Sequence, residues 1–282
     1  MHLGIDIGGT TARVSAFESL DSTTELGGVQ FKISKNKDPW KAFKKDITRL
    51  VHHSIGLSER FGVIGKVGVA LAGKLDADRQ MLTGTGNLHH WVKKRVAEGL
   101  SEELGCPVFL GNDAEAAAMA EARYGYGQGT DFWFVIWGTG VGGCLVRRVR
   151  DEPVAFPAEV GHQRVADEDL RKCGCGQEAC LDFYCGGNGL SQIYGVSAER
   201  AFAEVGREIA ETMLIGLRNI VAIQPVPLIV FGGGIANKQS QWIEYLQRRL
   251  RDELQIVDAP EVKLSHFGES AGTVGALSLI PG

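Results

Sequence analysis

The chain has 282 residues, of which 44% are hydrophobic and 23% charged, with a formal net charge of −4. This balance excludes disordered and fibrous classes, and with no basic stripe interleaved with aromatics there is no electrostatic footprint for nucleic acid. No apolar run approaches the ~18 residues needed to cross a bilayer, and Met1 to Ile5 lacks the basic start of an export signal, so a cytoplasmic protein acting on small molecules is expected. Thirty-eight glycines, about twice average usage, gather in short runs that call for tight turns and close backbone approaches.

Leu3 to Phe17 predicts a strand, a glycine turn and a second strand, together a hairpin. Trp40 to Ile55 spaces Phe43, Ile47, Leu50 and Val51 as one face of a helix, and Lys66 to Ala72 predicts a buried strand. Cys106 to Leu110 is a further short strand, and the alanine-rich run after Asn112 and Asp113 is a helix with a capping residue at its start. Phe132 to Arg147 repeats the layout of the first hairpin about 130 residues later, which hints at internal duplication. A helix over Ala201 to Ile223, a strand over Leu228 to Phe231, a helix over Gln241 to Leu254 and a closing helix over Ser270 to Leu279 complete the series. The alternation predicts a layered α/β fold with mixed sheets in two lobes, 1–111 and 112–282, the second carrying the cysteine-rich loop.

Gly138, Gly140 and Gly143 have dinucleotide-fingerprint spacing, but Cys144 to Arg147 suits a strand where that motif needs a helix. Gly68 to Lys74 nearly spells a P-loop, yet Leu75 stands where a hydroxyl would hold magnesium. The two hairpin turns make a better pair. Asp6, Gly8, Gly9 and Thr10 in one, and Gly138, Thr139 and Gly140 in the other, expose backbone N–H groups that can grip a polyphosphate. Asp6 is placed to hold hydrated Mg²⁺. A third run, Gly232, Gly233 and Gly234, follows an apolar strand and would let an adenosine lie on bare backbone. Any one of these runs is also what an ordinary tight turn requires.

Asn112 and Asp113 sit between a strand end and a helix start, the commonest place for a capping side chain. The chemical reading makes Asp113 a general base for phosphoryl transfer and gives Asn112 a sugar hydroxyl; the position admits both. His162 with Cys173, Cys175 and Cys180 has the Cys₃His composition of structural zinc. A Cys₄ set with Cys185 in place of His162, and plain packing of small side chains, stay open. A closed ligand shell would make the metal structural and would pin the loop that carries Glu159.

Taken in order, Asp6-Ile-Gly-Gly-Thr-Thr-Ala-Arg13, Gly111-Asn-Asp-Ala-Glu-Ala-Ala-Ala118, Gly138-Thr-Gly-Val-Gly-Gly143, Glu159-Val-Gly-His162 and Cys173-x-Cys-Gly-x-x-x-Cys180 resemble the ROK family of repressors, open reading frames and sugar kinases. Gly232-Gly-Gly-Ile235 and Ala271-Gly-Thr-Val-Gly-Ala276 follow in the family's order. The resemblance implies a two-lobed actin-like (ribonuclease H-like) ATPase fold, mixed sheets flanked by helices, with ATP and sugar bound between the lobes. It implies Asp113 as catalytic base and Asn112, Glu159 and His162 on sugar hydroxyls. It also implies His162, Cys173, Cys175 and Cys180 on zinc, the histidine serving both partners through its two ring nitrogens. The last helix, about 270–282, is expected to pack on the first lobe, as in family members. Three departures stand out: Cys144 replaces a third glycine, Ala179 replaces the glycine before Cys180, and Asp182 replaces a glutamate that contacts the sugar. The last is one methylene short, enough to shift substrate preference.

The expectation is therefore an ATP-dependent sugar kinase using Mg²⁺ and structural Zn²⁺, glucose to glucose 6-phosphate being the first choice. An N-acylhexosamine such as N-acetylglucosamine or N-acetylmannosamine, fructose, or a non-catalytic sugar sensor are the alternatives, and a homodimer is the expected assembly. Family repressors carry a helix-turn-helix ahead of the first phosphate turn; with Asp6 so near the start, the kinase reading is favoured. Sugar binding is expected to drive lobe closure and hold back ATP hydrolysis without sugar. The loop Asn87 to Trp91 is expected to tune the choice of sugar.

Overall fold

The computed structural model describes residues 1–85, 88–167 and 171–281, so Asn87 of the expected sugar-tuning loop lies outside the described residues. The chain divides into two compact units, Met1–Ala120 with the closing segment from Ser270, and Glu121–Glu269. The division falls within the helix Asp113–Tyr124.

In chain order the elements are β1 (His2–Ile7), β2 (Thr11–Phe17), β3 (Glu25–Lys32), α1 (Pro39–Phe61), β4 (Val67–Leu71), the short pair β5 (Lys74–Leu75) and β6 (Leu82–Gly84), α2 (Val96–Leu104), β7 (Val108–Asn112) and α3 (Asp113–Tyr124). The first unit's sheet runs β3-β2-β1-β4-β7. Its hairpin strands pair antiparallel, while β1, β4 and β7 pair in parallel. Leu3, Ile5 and Ile7 line one face of β1 and are fully buried, and β4 is buried at every position from Val67 to Leu71, as expected of a strand covered on both faces. Asp38 starts α1 by accepting from Trp40 N at 2.9 Å and Lys41 N at 3.1 Å, ahead of Pro39 in the first turn, a position where a missing N–H costs nothing.

The second unit holds β8 (Phe132–Trp137), β9 (Val141–Val149), β10 (Glu152–Ala158), α4 (Leu181–Cys185), α5 (Gly187–Tyr194), α6 (Ala198–Ile223), β11 (Leu228–Gly232), α7 (Gly234–Lys238), α8 (Ser240–Glu253) and β12 (Glu261–Leu264). Its sheet, β10-β9-β8-β11-β12, has the same order and the same pattern of antiparallel and parallel pairs as the first. The repeated strand–turn–strand pattern in the sequence therefore corresponds to two sheets of one topology. At the end of α3, Glu121 is fully buried, and its Oε1 accepts from Ser265 Oγ and His266 N, each at 2.7 Å. No helix among the described residues is long and apolar enough to cross a membrane.

The last helix, α9 (Ala271–Ser278), belongs to the first unit and lies directly on its strands. A Cβ on Gly4 of β1 would come within 2.1 Å of Thr273 O, and one on Gly68 of β4 within 1.8 Å of Ala276 O. Only glycine permits so close a helix-to-strand approach.

Candidate active site

In the first unit the hairpin turn after β1 is closed by Gly8 N donating to Thr11 O at 3.0 Å. Asp6, near the end of β1, sets its carboxylate against the α9 backbone, so that a Cβ at Gly272 would come within 2.3 Å of Asp6 Oδ2. Burial first, and then the charge of Asp113, raise the pKa of Asp6 to about 7 against the opposing charge of Arg13. A carboxylate with a carboxylate neighbour in a desolvated place gains most from a cation. Such a carboxylate is chemically suited to a hydrated magnesium ion.

The start of α3 shows which residue does the capping. Asn112 Oδ1 accepts from Ala114 N at 2.9 Å and Glu115 N at 3.3 Å, while Glu115 Oε2 accepts from Asn112 N at 3.4 Å. This reciprocal pair is a capping box with asparagine in the cap position, a signal readable in the Asn-x-x-Glu spacing. Asn112 also donates from Nδ2 to Gly73 O at 2.9 Å. Arg79 holds Glu115 at 2.7 Å. Asp113 stands one residue into the helix, partly exposed, with Oδ1 accepting from Ala114 N at 2.9 Å.

In the second unit the turn between β8 and β9 folds through Gly138 N donating to Gly140 O at 2.9 Å. Its carbonyls are held from the start of α5, where Gly187 N donates to Gly138 O at 2.9 Å and Asn188 N to Thr139 O at 2.8 Å. Asp182 on α4 braces the turn from the other side, its Oδ1 accepting from Val141 N at 2.6 Å. Burial raises the pKa of Asp182, against the hydrogen bond from Val141 N and the nearby His162. The motif signal gave this residue to the sugar and did not reveal its bond to the turn.

The third glycine run divides into two parts. A Cβ on Gly232 would meet the Phe134 ring at 2.6 Å, and one on Gly233, at φ +99°, would meet Trp137 O at 2.6 Å. Packing alone demands these two glycines. Gly234, opening α7, has nothing within 4 Å of a Cβ, so packing does not require a glycine there.

His162, Cys173, Cys175 and Cys180 come together with one ligand atom of each within 4.8 Å of the others. His162 Nδ1 lies 3.7 Å from Cys173 Sγ, and Cys175 Sγ lies 3.7 Å from Cys180 Sγ. Those separations match the ~3.8 Å edge of a tetrahedron with ~2.3 Å zinc–sulfur bonds. Burial pushes the Cys180 thiol up to about 12, helped by its neighbouring thiols, a load that a bound cation would relieve. Cys185 is not in the cluster: fully buried, it points its thiol to Ile209 O at 3.5 Å. The Cys₄ alternative therefore falls, because α4 turns Cys185 toward α6. Glu159 is 81% exposed, with Oε2 3.7 Å from His162 Nε2. The histidine thus presents one ring nitrogen to the thiols and the other to the Glu159 side.

The ROK family profile matches residues 2–282, and the chain belongs to the ROK family. It is 30% identical to an N-acetyl-D-glucosamine kinase of Salmonella paratyphi C, the alignment covering 99% of both chains. Among solved structures it is similar to the ROK family glucokinase of Streptomyces griseus, crystallised with glucose and AMPPNP (TM-score 0.79, 22% identity, 99% and 98% of the two chains). It is also similar to the ROK hexokinase of Thermus thermophilus (TM-score 0.77, 26% identity, 99% and 97%). The two mixed sheets flanked by helices are those of the actin-like ATPase fold.

Proposed function

We propose that this chain is an ATP-dependent sugar kinase in which Asp113 takes the proton from a hexose hydroxyl as that oxygen attacks the γ-phosphorus. The observation that carries the reading is the division of labour at the start of α3. Asn112 and Glu115 complete the capping box, so the Asp113 carboxylate is not required as the cap. Asn112, bonded to Gly73 O, then acts by fixing the approach to Asp113 as well as by meeting a sugar hydroxyl. Glu159 and His162 are the further sugar contacts, with Asp182 set between His162 and the Val141 turn.

For the donor, Asp6 would hold Mg²⁺, and Gly8, Gly9, Thr10, Gly138, Thr139 and Gly140 would receive the phosphates on backbone N–H groups. Gly234, with Gly232 and Gly233 shaping the turn, would receive the adenosine. Most of the barrier reduction in such a reaction comes from positioned charge on the transferring group, which Mg²⁺ supplies when bound. His162, Cys173, Cys175 and Cys180 would hold zinc, whose closed shell supplies rigidity rather than chemistry.

The acceptor is a hexose or N-acylhexosamine. The 30% identity to an N-acetyl-D-glucosamine kinase over 99% of both chains puts N-acetylglucosamine ahead of glucose. Glucose is the second reading, supported by the fold shared with the Streptomyces griseus glucokinase. The test is ADP release from Mg-ATP with N-acetylglucosamine, glucose, N-acetylmannosamine, mannose and fructose in parallel. Stimulation by N-acetylglucosamine above the others supports the reading, and stimulation by none removes it.

A further inference from the structure

The β5–β6 hairpin carries Arg79 near its tip, with the backbone in the left-handed region at φ +53°. A Cβ disfavours that conformation and a glycine does not, so the position holds a long side chain against local preference. Residues held this way gather where the side chain is needed elsewhere. The turn itself does not use the guanidinium. Asp76 Oδ1 accepts from Gln80 N at 2.7 Å and Met81 N at 2.9 Å, and Arg79 N donates to Asp76 O at 3.1 Å. From α2, Val96 N donates to Gln80 O at 3.0 Å.

The guanidinium is directed at the start of α3. Arg79 Nη2 donates to Glu115 Oε1 at 2.7 Å, while Glu115 Oε2 accepts from Asn112 N at 3.4 Å. The Glu115 side chain is 8% exposed, against 49% for Arg79. An ion pair between exposed side chains contributes little, but a carboxylate withdrawn from water depends on its partner. Asp113 shares the first turn of α3 with Glu115, and its charge already bears on Asp6. Arg13, the cation that opposes this at Asp6, is itself paired with Glu25 at 2.8 Å. Arg79 thus supplies the counter-charge for Glu115, whose repulsion with Asp113 would otherwise loosen the helix start.

The hairpin meets Asn112 at both of its ends. At the base, Gly73 O accepts from Asn112 Nδ2 at 2.9 Å, and Gly73 itself, at φ +147° and pressed on Gly84 O, admits no side chain. At the tip, Arg79 reaches the Asn112 backbone through Glu115. Asp113 follows directly in sequence, so the direction of its carboxylate depends on both grips. We propose that Arg79 is a positioning residue for phosphoryl transfer, acting through Glu115 to hold Asn112 and thereby to aim the Asp113 carboxylate. The inference rests on the kinase reading given above.

The test compares Arg79→Gly, Arg79→Lys, Glu115→Gln and Arg79→Gly/Glu115→Gln with the wild type, in thermal unfolding and in turnover of Mg-ATP with the sugar that is phosphorylated fastest. Arg79→Gly relieves the left-handed strain as it removes the ion pair, so it should unfold within a few degrees of the wild type. Its kcat should fall by about tenfold, short of the ~100-fold of a full 1 Å misplacement because the Gly73 contact remains, with the KM for Mg-ATP within about twofold. Since one Nη2 contact carries the pair, Arg79→Lys should keep kcat within about threefold. In the Glu115→Gln background no buried carboxylate needs a partner, so Arg79→Gly should there lower kcat by less than about twofold. Turnover by Arg79→Gly within about twofold of wild type, an equal loss in both backgrounds, or a loss that follows the unfolding temperature would each overturn the inference and leave the kinase reading in place. A wild type without sugar-stimulated turnover would overturn both.

Discussion

Asp6 and Asp113 stand close enough for the charge of Asp113 to add to burial in raising the pKa of Asp6 from 3.8 to about 7. Between those values the folded chain binds a proton that the unfolded chain releases. The contribution of Asp6 to stability is therefore largest below pH 4, falls as the pH rises to about 7, and is constant above. At ~1.4 kcal/mol per pKa unit the loss is at most ~4 kcal/mol. Asp6→Asn should flatten this dependence in thermal unfolding followed from pH 5 to pH 8. Mg-ATP, by favouring the ionised carboxylate, should raise the midpoint more at pH 8 than at pH 6. Superimposable pH profiles for Asp6→Asn and the wild type would contradict the assignment.

The four side chains His162, Cys173, Cys175 and Cys180 predict one zinc per chain. Cys175 is the exposed member, so Cys175→Ala removes a ligand without opening a core cavity. Zinc content and stability are expected to fall together, because ligand loss couples to folding. An unchanged melting temperature in a zinc-free wild-type sample would refute the structural role.

Asp182 tests two roles for one carboxylate. If its bond to Val141 N at 2.6 Å holds the second glycine turn, Asp182→Ala should lower kcat/KM for Mg-ATP by ~10–100-fold, the range for losing a hydrogen bond to a charged group. Asp182→Asn, which keeps an accepting oxygen, should recover part of that loss. A rise confined to the sugar KM, with ATP kinetics intact, would assign the carboxylate to the sugar instead.

Gly68→Ala addresses the fold. Its Cβ would lie 1.8 Å from Ala276 O, backbone against backbone, so α9 must shift from β4. A loss of ~2 kcal/mol or more is expected in denaturant unfolding, the middle of the ~1–3 kcal/mol usual for overpacking or above it. A loss under ~0.5 kcal/mol would mean that α9 is not held this tightly.

The elements with strong period or clear punctuation were legible in the sequence. The helix predicted over Ala201 to Ile223 is α6, the strand over Lys66 to Ala72 is β4, and Asn112 opens α3. β10 was hidden by Pro153 and Pro157, which an edge strand tolerates because one side of its backbone needs no ladder partner. β3 was hidden by Gly27 and Gly28 at another sheet edge. Of the candidate site, the Cys₃His set was legible because its ligands lie close in sequence. Cys185 could be set aside only once α4 gave it a direction. The bond from Val141 to Asp182 spans 41 residues, and the bond from Arg79 to Glu115 spans 36; local pattern has no access to such pairings.

Asp113 is the residue on which the proposed sugar kinase chemistry turns. The most direct measurement is ADP release from Mg-ATP with and without N-acetylglucosamine, made on the wild type and Asp113→Asn side by side, with sugar binding followed separately. The expected result is sugar-stimulated turnover in the wild type, a kcat lower by ~10²–10⁴-fold in the variant, the range for a removed general base, and sugar affinity largely retained. Turnover in Asp113→Asn within a few-fold of wild type would contradict the account and leave Asp113 as part of the helix start alone.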